Sequence, residues 1–371
     1  MKVNLNFGLL LVSSLLLSAV LNKPVAQTGQ SAPVNKTTSA EKGLFDGDEV
    51  FTITLRGNTR DLLKDRSEDP KFFPMELIYT KEDSTKLVMP VQVRTRGYFR
   101  RMKENCYYPP LMIDFPKEGP HQSSIFKDQK KTKLVMPCKG DDYVVREWLT
   151  YKLYNIVTPK SLKARLVKVV LDDAAKGKAT DPFYGILLEE EKQMAKRNKM
   201  VSIEPKLRPE QTQLEEFLVM AVFQYLIGNT DWSVQYLQNI KLIAADSVSI
   251  PMTVPYDFDH AGIVNAPYAH PAEELLMSSV RQRRYRGYCM PNLKAFDPII
   301  ARYNSLKNDI YNLYTSCTLI DAKYIKSTTQ FLDDFYKTIN NPKTWQYDFA
   351  YPCDQNGTGN VVIKGFRDEK E

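Results

Sequence analysis

The spacing of apolar and polar positions divides the chain into a strand-like part and a helical part. Val50–Leu55 alternates as a half-buried strand, and Met75–Tyr79 and Lys86–Arg96 continue the pattern, cleanest in Val91-Gln-Val-Arg-Thr-Arg96 after Pro90. Tyr108–Phe115, which begins on prolines, and Lys131–Met136 are predicted as further strands. Arg165–Leu171 and Tyr184–Leu188 read as a hairpin around a polar turn rich in Ala, Lys and Gly. One helix is embedded among them, Asp141–Tyr154, opened by two acids and striped with Val145, Trp148, Leu149 and Leu153. From Pro209 onward the pattern is mostly helical, over Glu215–Ile227, Pro298–Tyr314 and Ala322–Ile339.

The stretch Phe223–Gly262 organises the rest. Phe217–Ile227 is largely apolar and lacks Gly and Pro, which predicts a buried helix; Gly228-Asn229 ends it and places Asp231 on a loop. Asn239–Ile243 follows as a short strand, then Thr253-Val254 leads into Tyr256-Asp257-Phe258-Asp259. Two acidic turns, GNTD and YDFD, therefore stand a strand, a turn and a strand apart.

Composition adds a destination. Met1-Lys2 is a short basic start and Gly8–Leu21 an apolar core of a signal peptide, 1–26, with a cleavage point after Ala26 despite Pro24. Residues 27–43 are rich in Ser, Thr, Gln and Ala and are predicted to be a flexible linker. No later apolar run reaches membrane-spanning length, so no span is expected in the mature chain, and a periplasmic or extracellular location follows. Export permits disulfides. Cys106 and Cys138, at the ends of neighbouring strand-like runs, are expected to pair; Cys289, Cys317 and Cys353 stay unassigned, and an odd total of 5 leaves at least one thiol outside an intrachain pair. The net charge is +7, or +5 once Lys2 and Lys23 are removed with the leader (49 basic against 44 acidic). That suits an anionic ligand such as a nucleotide, and no nucleic-acid-binding motif accompanies it.

The chemistry narrows by elimination. There are 3 histidines, no C-x-x-C, H-E-x-x-H or G-x-S-x-G motif, and no Walker-type phosphate loop. What remains is a carboxylate and amide set: Asp231, Asn239, Asp257 and Asp259. Oxygen donors of this kind suit Mg²⁺ or Mn²⁺ and disfavour zinc. Phosphoryl transfer asks little more than a carboxylate for the acceptor, oxygens for metal and cations for phosphate. Helix, acidic loop, strand, hairpin, strand and acidic loop is also the order of a kinase catalytic loop and metal segment.

GNTDWSVQYLQN followed by PYDFDHAG is similar to the closing motifs of the CotH family, spore-coat-type secreted kinases of atypical protein-kinase fold. Arg94-Thr-Arg-Gly97, the Lys133–Cys138 strand followed by the Tyr143–Tyr154 helix with Arg146 inside it, and the Val167–Glu190 hairpin resemble upstream family features; the likeness covers roughly Thr52–Gly287. The resemblance implies an α+β, bilobed kinase-like fold, with a β-rich lobe at about 44–208 and a helical lobe at about 209–371. It implies Asp231 as catalytic base, Asp257 as metal ligand with Asp259 a second candidate, and Asn239 as the catalytic-loop asparagine. ATP and Mg²⁺ or Mn²⁺ would be the cofactors, and the acceptor, protein or small molecule, is open. Two departures stand out. Asp231 and Asn239 are eight positions apart rather than the five of kinases, and the family's lysines are replaced by Tyr107-Tyr-Pro-Pro110. Lys133 paired with Glu147 is the substitute for the phosphate-gripping pair, with Arg96 and Arg100 covering phosphate beside the lone Gly97. The alternative is a catalytically silent relative that binds or scaffolds. Arg281, Arg283, Arg284 and Arg286 read as a solvated helical face, or as a grip for an acidic substrate.

Overall fold

A computed structural model of the chain describes residues 42–81 and 83–351, which fall in one compact unit. The signal peptide, most of the linker and Cys353 lie outside the described residues. In chain order the elements are β1 (Phe51–Gly57), α1 (Thr59–Lys64), β2 (Phe73–Thr80), β3 (Lys86–Thr95), β4 (Leu111–Asp114), β5 (Lys131–Val135), α2 (Asp141–Val157), β6 (Ala164–Asp173), β7 (Lys178–Ala179), β8 (Phe183–Leu188), α3 (Glu191–Arg197), β9 (Val201–Ile203), α4 (Leu214–Ile227), β10 (Ile240–Ala244), β11 (Met252–Pro255), α5 (Asp297–Ser305), α6 (Lys307–Thr315), α7 (Ala322–Ile339) and α8 (Pro342–Phe349).

The β-rich half differs from the expected lobe of a bilobed kinase. Its strands run β1-β2-β3-β4-β5-β8-β6, and β6 then pairs in parallel with β1, from Phe51 opposite Val167 to Gly57 opposite Asp173. That pairing closes a seven-stranded barrel, with the two-residue β7 appended to β6. Closure removes the sheet edges that an open lobe would expose. The reason lies in the alternation: Ile53 and Leu55, Met89, Val91 and Val93, Leu111 and Ile113, and Val167 and Val169 all point into one core. A second core gathers α2, α4, the later helices and the inner face of the small β9–β10–β11 sheet.

The helices follow the apolar periods with a few differences. α4 is buried on every side from Phe217 to Ile227, as a helix without a polar face must be. The single run expected over Pro298–Tyr314 is two helices, α5 and α6, parted at Leu306, where φ −89° and ψ 0° leave the helical region. The short α1, α3, β9 and α8 have too few residues for their period to register. Asn58 and Asn341 nevertheless cap α1 and α8 with side-chain acceptors, and that signal was present in the sequence.

Cys106 and Cys138 form a disulfide, as expected, and both are buried. It joins the loop after β3 to the loop between β5 and α2. Cys317 is a free thiol. Among the described residues no helix is long and apolar enough to cross a membrane. Replacing both bridged cysteines by serine removes a cross-link closing a loop of separation 32. Urea unfolding of that variant is expected to show a loss on the order of 3–4 kcal/mol.

Candidate functional site

The site begins at the end of α4. Gly228 takes the left-handed conformation, φ 66°, and a Cβ there would stand 3.0 Å from both the Phe331 ring and the Val280 carbonyl. Asn229 then fixes the turn from inside. Its Nδ2 donates to Gln224 Oε1 at 3.0 Å, and its Oδ1 accepts from the Asp231 N–H at 3.0 Å. Trp232 adds a third tie, Nε1 to the Asn229 carbonyl at 3.2 Å. The backbone of Asp231 is anchored while its side chain lines an open cavity of about 360 Å³.

The second acidic loop reaches the same cavity through the β10–β11 hairpin. Ile240 pairs with Pro255, and the Tyr256 N–H donates to the Asn239 carbonyl at 3.0 Å, so Asn239 and Asp257 leave the hairpin at one end. Phe258 is buried against Tyr151 and Phe223, with ring centroids 4.7 and 5.5 Å away, and its neighbours Asp257 and Asp259 line the cavity. Asp257 has φ 63°, a conformation Asp tolerates, and its N–H donates to the Tyr151 hydroxyl at 2.9 Å. Beyond Asp259 the chain docks on α4: the Gly262 N–H donates to the Gly228 carbonyl at 3.1 Å and the Ile263 N–H to the Ile227 carbonyl at 2.9 Å.

The eight-position spacing between Asp231 and Asn239 is absorbed locally. Ser233 and Gln238 exchange two backbone hydrogen bonds of 3.0 Å, and Leu237 and Asn239 both turn left-handed at φ 49° and 51°. The loop folds back, and Asn239 Nδ2 donates to the Asp231 carbonyl at 2.8 Å and to its Oδ2 at 3.0 Å. Gln238, which sequence reasoning missed, donates to the other carboxylate oxygen, Oδ1.

Three carboxylates now share a small volume. Burial pushes Asp257 up to about 6, and the neighbouring charges of Asp259 and Asp231 push the same way, against Arg100 and Arg96. Burial also raises Asp231, while the His260 ring, Arg286 and the Asn239 bond oppose it. His260 lines the cavity between Phe99 and Tyr268, with ring centroids 5.3 and 5.7 Å away. Arg100 is the internal counter-charge: Nη1 lies 3.3 Å from Glu147 Oε2 and 3.6 Å from Asp259 Oδ2, and Nη2 donates to the Met136 carbonyl at 2.7 Å.

This arrangement corrects the expected Lys133–Glu147 pair. Glu147 takes Arg100 instead, because the loop after β3 delivers that guanidinium into the barrel–helix junction. Lys133 sits with Nζ 4.8 Å over the Tyr256 ring and lines a second cavity of about 490 Å³, near Lys241, Glu191 and Ser202. Burial, with help from Arg96 and Lys241, depresses its ammonium to about 7. Arg96 lines the first cavity. The arginine run 281–286 carries no helix. Its members donate to backbone carbonyls around the two acidic loops, which corrects the solvated helical face expected for it.

Whether these residues suit a divalent cation turns on the donors. Among the described residues no cluster of three or more His, Cys, Asp and Glu is arranged to hold one. Asp257 and Asn239 nonetheless line one cavity and carry hard oxygens, and a cation there would ease the Asp257 carboxyl, which is raised first by burial and then by Asp259. That suits Mg²⁺, which takes one or two protein carboxylates and completes its shell with water and phosphate.

No family model matches the chain, and no curated protein matches it. Among solved structures, it is similar to a Helicobacter pylori proinflammatory kinase, CtkA, at 11% identity, with a TM-score of 0.38 over 67% of this chain and 92% of that one. A likeness that weak carries no weight on fold or function, and the resemblance to the CotH family rests on the motifs alone.

The raised Asp257 has a stability consequence. A carboxyl lifted from 3.8 to about 6 makes the unfolded chain lose its proton first, so the cost to the folded state is small below pH 4, grows between pH 4 and 6, and is fully present and level above that. In metal-free buffer at pH 7–8, Asp257→Asn should therefore raise stability by roughly 1–3 kcal/mol, with little gain at pH 4. Denaturant melts at the two pH values check this.

Proposed function

We propose that this chain is an exported phosphotransferase that moves the terminal phosphoryl group of a nucleoside triphosphate to a hydroxyl acceptor. The observation that carries the reading is convergence: Asp231, Asn239 and Asp257, distant in sequence, meet on one cavity beside Arg96. In this reading Asp231 orients the acceptor hydroxyl and takes its proton as the new P–O bond forms and the bond to the departing nucleoside diphosphate breaks. Asp257 and Asn239, with Asp259 as a further donor, would hold Mg²⁺ or Mn²⁺. A cation bound there supplies charge neutralisation at the phosphates. Arg96 faces the first cavity and Lys133 the second, and Lys133 joins the two over the Tyr256 ring, so a nucleotide extended across both would meet a cation in each. Arg100, expected to cover phosphate, is turned toward Glu147 and Asp259 and acts in this reading by holding the metal segment to the barrel. The Cys106–Cys138 disulfide is compatible with export.

A second reading, a silent binding relative, draws on one feature. Both oxygens of Asp231 already receive amide donors, from Gln238 and Asn239, so a base would have to exchange one of these for the acceptor. Asp231→Asn separates the readings. On the phosphotransfer reading its turnover with labelled ATP, Mg²⁺ or Mn²⁺ and an acceptor panel falls by roughly 10²–10⁴-fold, with nucleotide affinity kept. A parent protein that binds nucleotide and transfers nothing to any acceptor, itself or water supports the silent relative.

A further inference from the structure

We propose that Arg286 is a positioning residue for Asp231, gripping the peptide carbonyls on either side of it. The proposal rests on the reading of Asp231 as the base. Arg286 Nη1 donates to the carbonyl of Thr230, the residue before Asp231, and at 2.6 Å to that of Trp232, the residue after it. The guanidinium also lies 5.3 Å from the Trp232 ring centre, and only 9% of the residue is exposed.

The loop needs such a clamp. Residues 229–232 belong to no helix or strand, and their inner side is held by Asn229. Arg286 holds the carbonyl side, where two peptide oxygens would otherwise be buried without a donor. Both bonds leave Nη1, whose two N–H groups are fixed in the guanidinium plane, whereas the rotating ammonium of a lysine carries no such fixed directions. Burial lowers the guanidinium to about 10, so it stays cationic at neutral pH.

Two companions extend the grip. Arg283 Nε donates to the Leu226 carbonyl at 3.1 Å, in the last turn of α4, where carbonyls lack intrahelical partners, and it stacks 3.6 Å over Phe331. Arg281 Nη1 donates to the Gly262 carbonyl at 3.2 Å, on the second acidic loop. Within six residues the run thus holds the Asp231 loop, the end of α4 and the docked segment after Asp259. An acidic-substrate grip would need these guanidinium groups turned outward; Arg284 is exposed and donates to the Leu275 carbonyl at 2.8 Å.

The test compares Arg286→Lys and Arg286→Met with Arg284→Ala as control, in the full exported chain. Three quantities are read: amide hydrogen exchange at 229–233, melting temperature, and kcat with nucleotide KM. The lysine variant keeps the charge and guards against a methionine variant that fails to fold. The proposal expects exchange at 229–233 to rise about tenfold or more in both variants while the barrel strands keep their protection. It expects kcat to fall by roughly 10–100-fold with KM within about twofold, since a misplaced base harms the transfer step and not nucleotide binding. The control should match the parent. Unchanged exchange at 229–233, or exchange raised throughout the chain with a lower melting temperature, overturns the positioning role. Exchange is read without turnover, so a parent lacking activity would sink the phosphotransfer reading while the local clamp is still judged on its own.

Discussion

Two backbone hydrogen bonds tie the second acidic segment to the helix end that carries the first: Gly262 N–H to the Gly228 carbonyl and Ile263 N–H to the Ile227 carbonyl, 3.1 and 2.9 Å. They fasten the segment after YDFD to the end of the buried helix α4, and so bring two acidic loops to one cavity. Each bond contributes only about 0.5–1.5 kcal/mol net, but leaving either group unpaired in that setting costs more. The contact tolerates no bulk. A Cβ on Gly262 would lie 2.2 Å from the Val280 carbonyl, backbone that cannot swing aside. Both glycines make room for the Val280 backbone, whose carbonyl would also stand 3.0 Å from a Cβ on Gly228.

Around this seam the structure keeps an electrostatic imbalance. Asp231, Asp257 and Asp259 are answered from within by Arg100, which also takes Glu147, and from the cavity wall by Arg96 and His260. Burial and like charge lift Asp257, so the metal-free protein carries a destabilised group at its proposed metal position. Such strain is ordinary where a site awaits a charged ligand. The non-glycine residues in left-handed conformation at Leu237, Asn239 and Asp257 belong to the same pattern, since all three lie at this cavity.

Much of this was legible in the sequence, and what was not has physical reasons. The buried helix ending at Gly228, the strands flanking the β10–β11 turn and the order of GNTD and YDFD along the chain follow from apolar period and turn residues. The eight positions between Asp231 and Asn239 do not themselves show that Ser233 and Gln238 close a turn and return Asn239 to Asp231. The barrel was missed because a parallel pairing of β1 with β6, more than a hundred residues apart, leaves no local mark. The Lys133–Glu147 pair was misjudged because strand direction, which turns Lys133 toward Tyr256, was not fixed by alternation in a five-residue strand. The arginine run resembled a solvated face since guanidinium groups bonded to carbonyls look no different in sequence from those in water.

The central claim is that these loops form a single site for a metal-bound nucleotide. Its most direct test is Mn²⁺ binding followed by electron paramagnetic resonance, with and without a non-hydrolysable ATP analogue, in the parent and in Asp257→Ala. The account predicts one Mn²⁺ bound per chain when the analogue is present, and loss of that binding in the variant. Mn²⁺ that binds equally without nucleotide, or binds the variant as well as the parent, would contradict it.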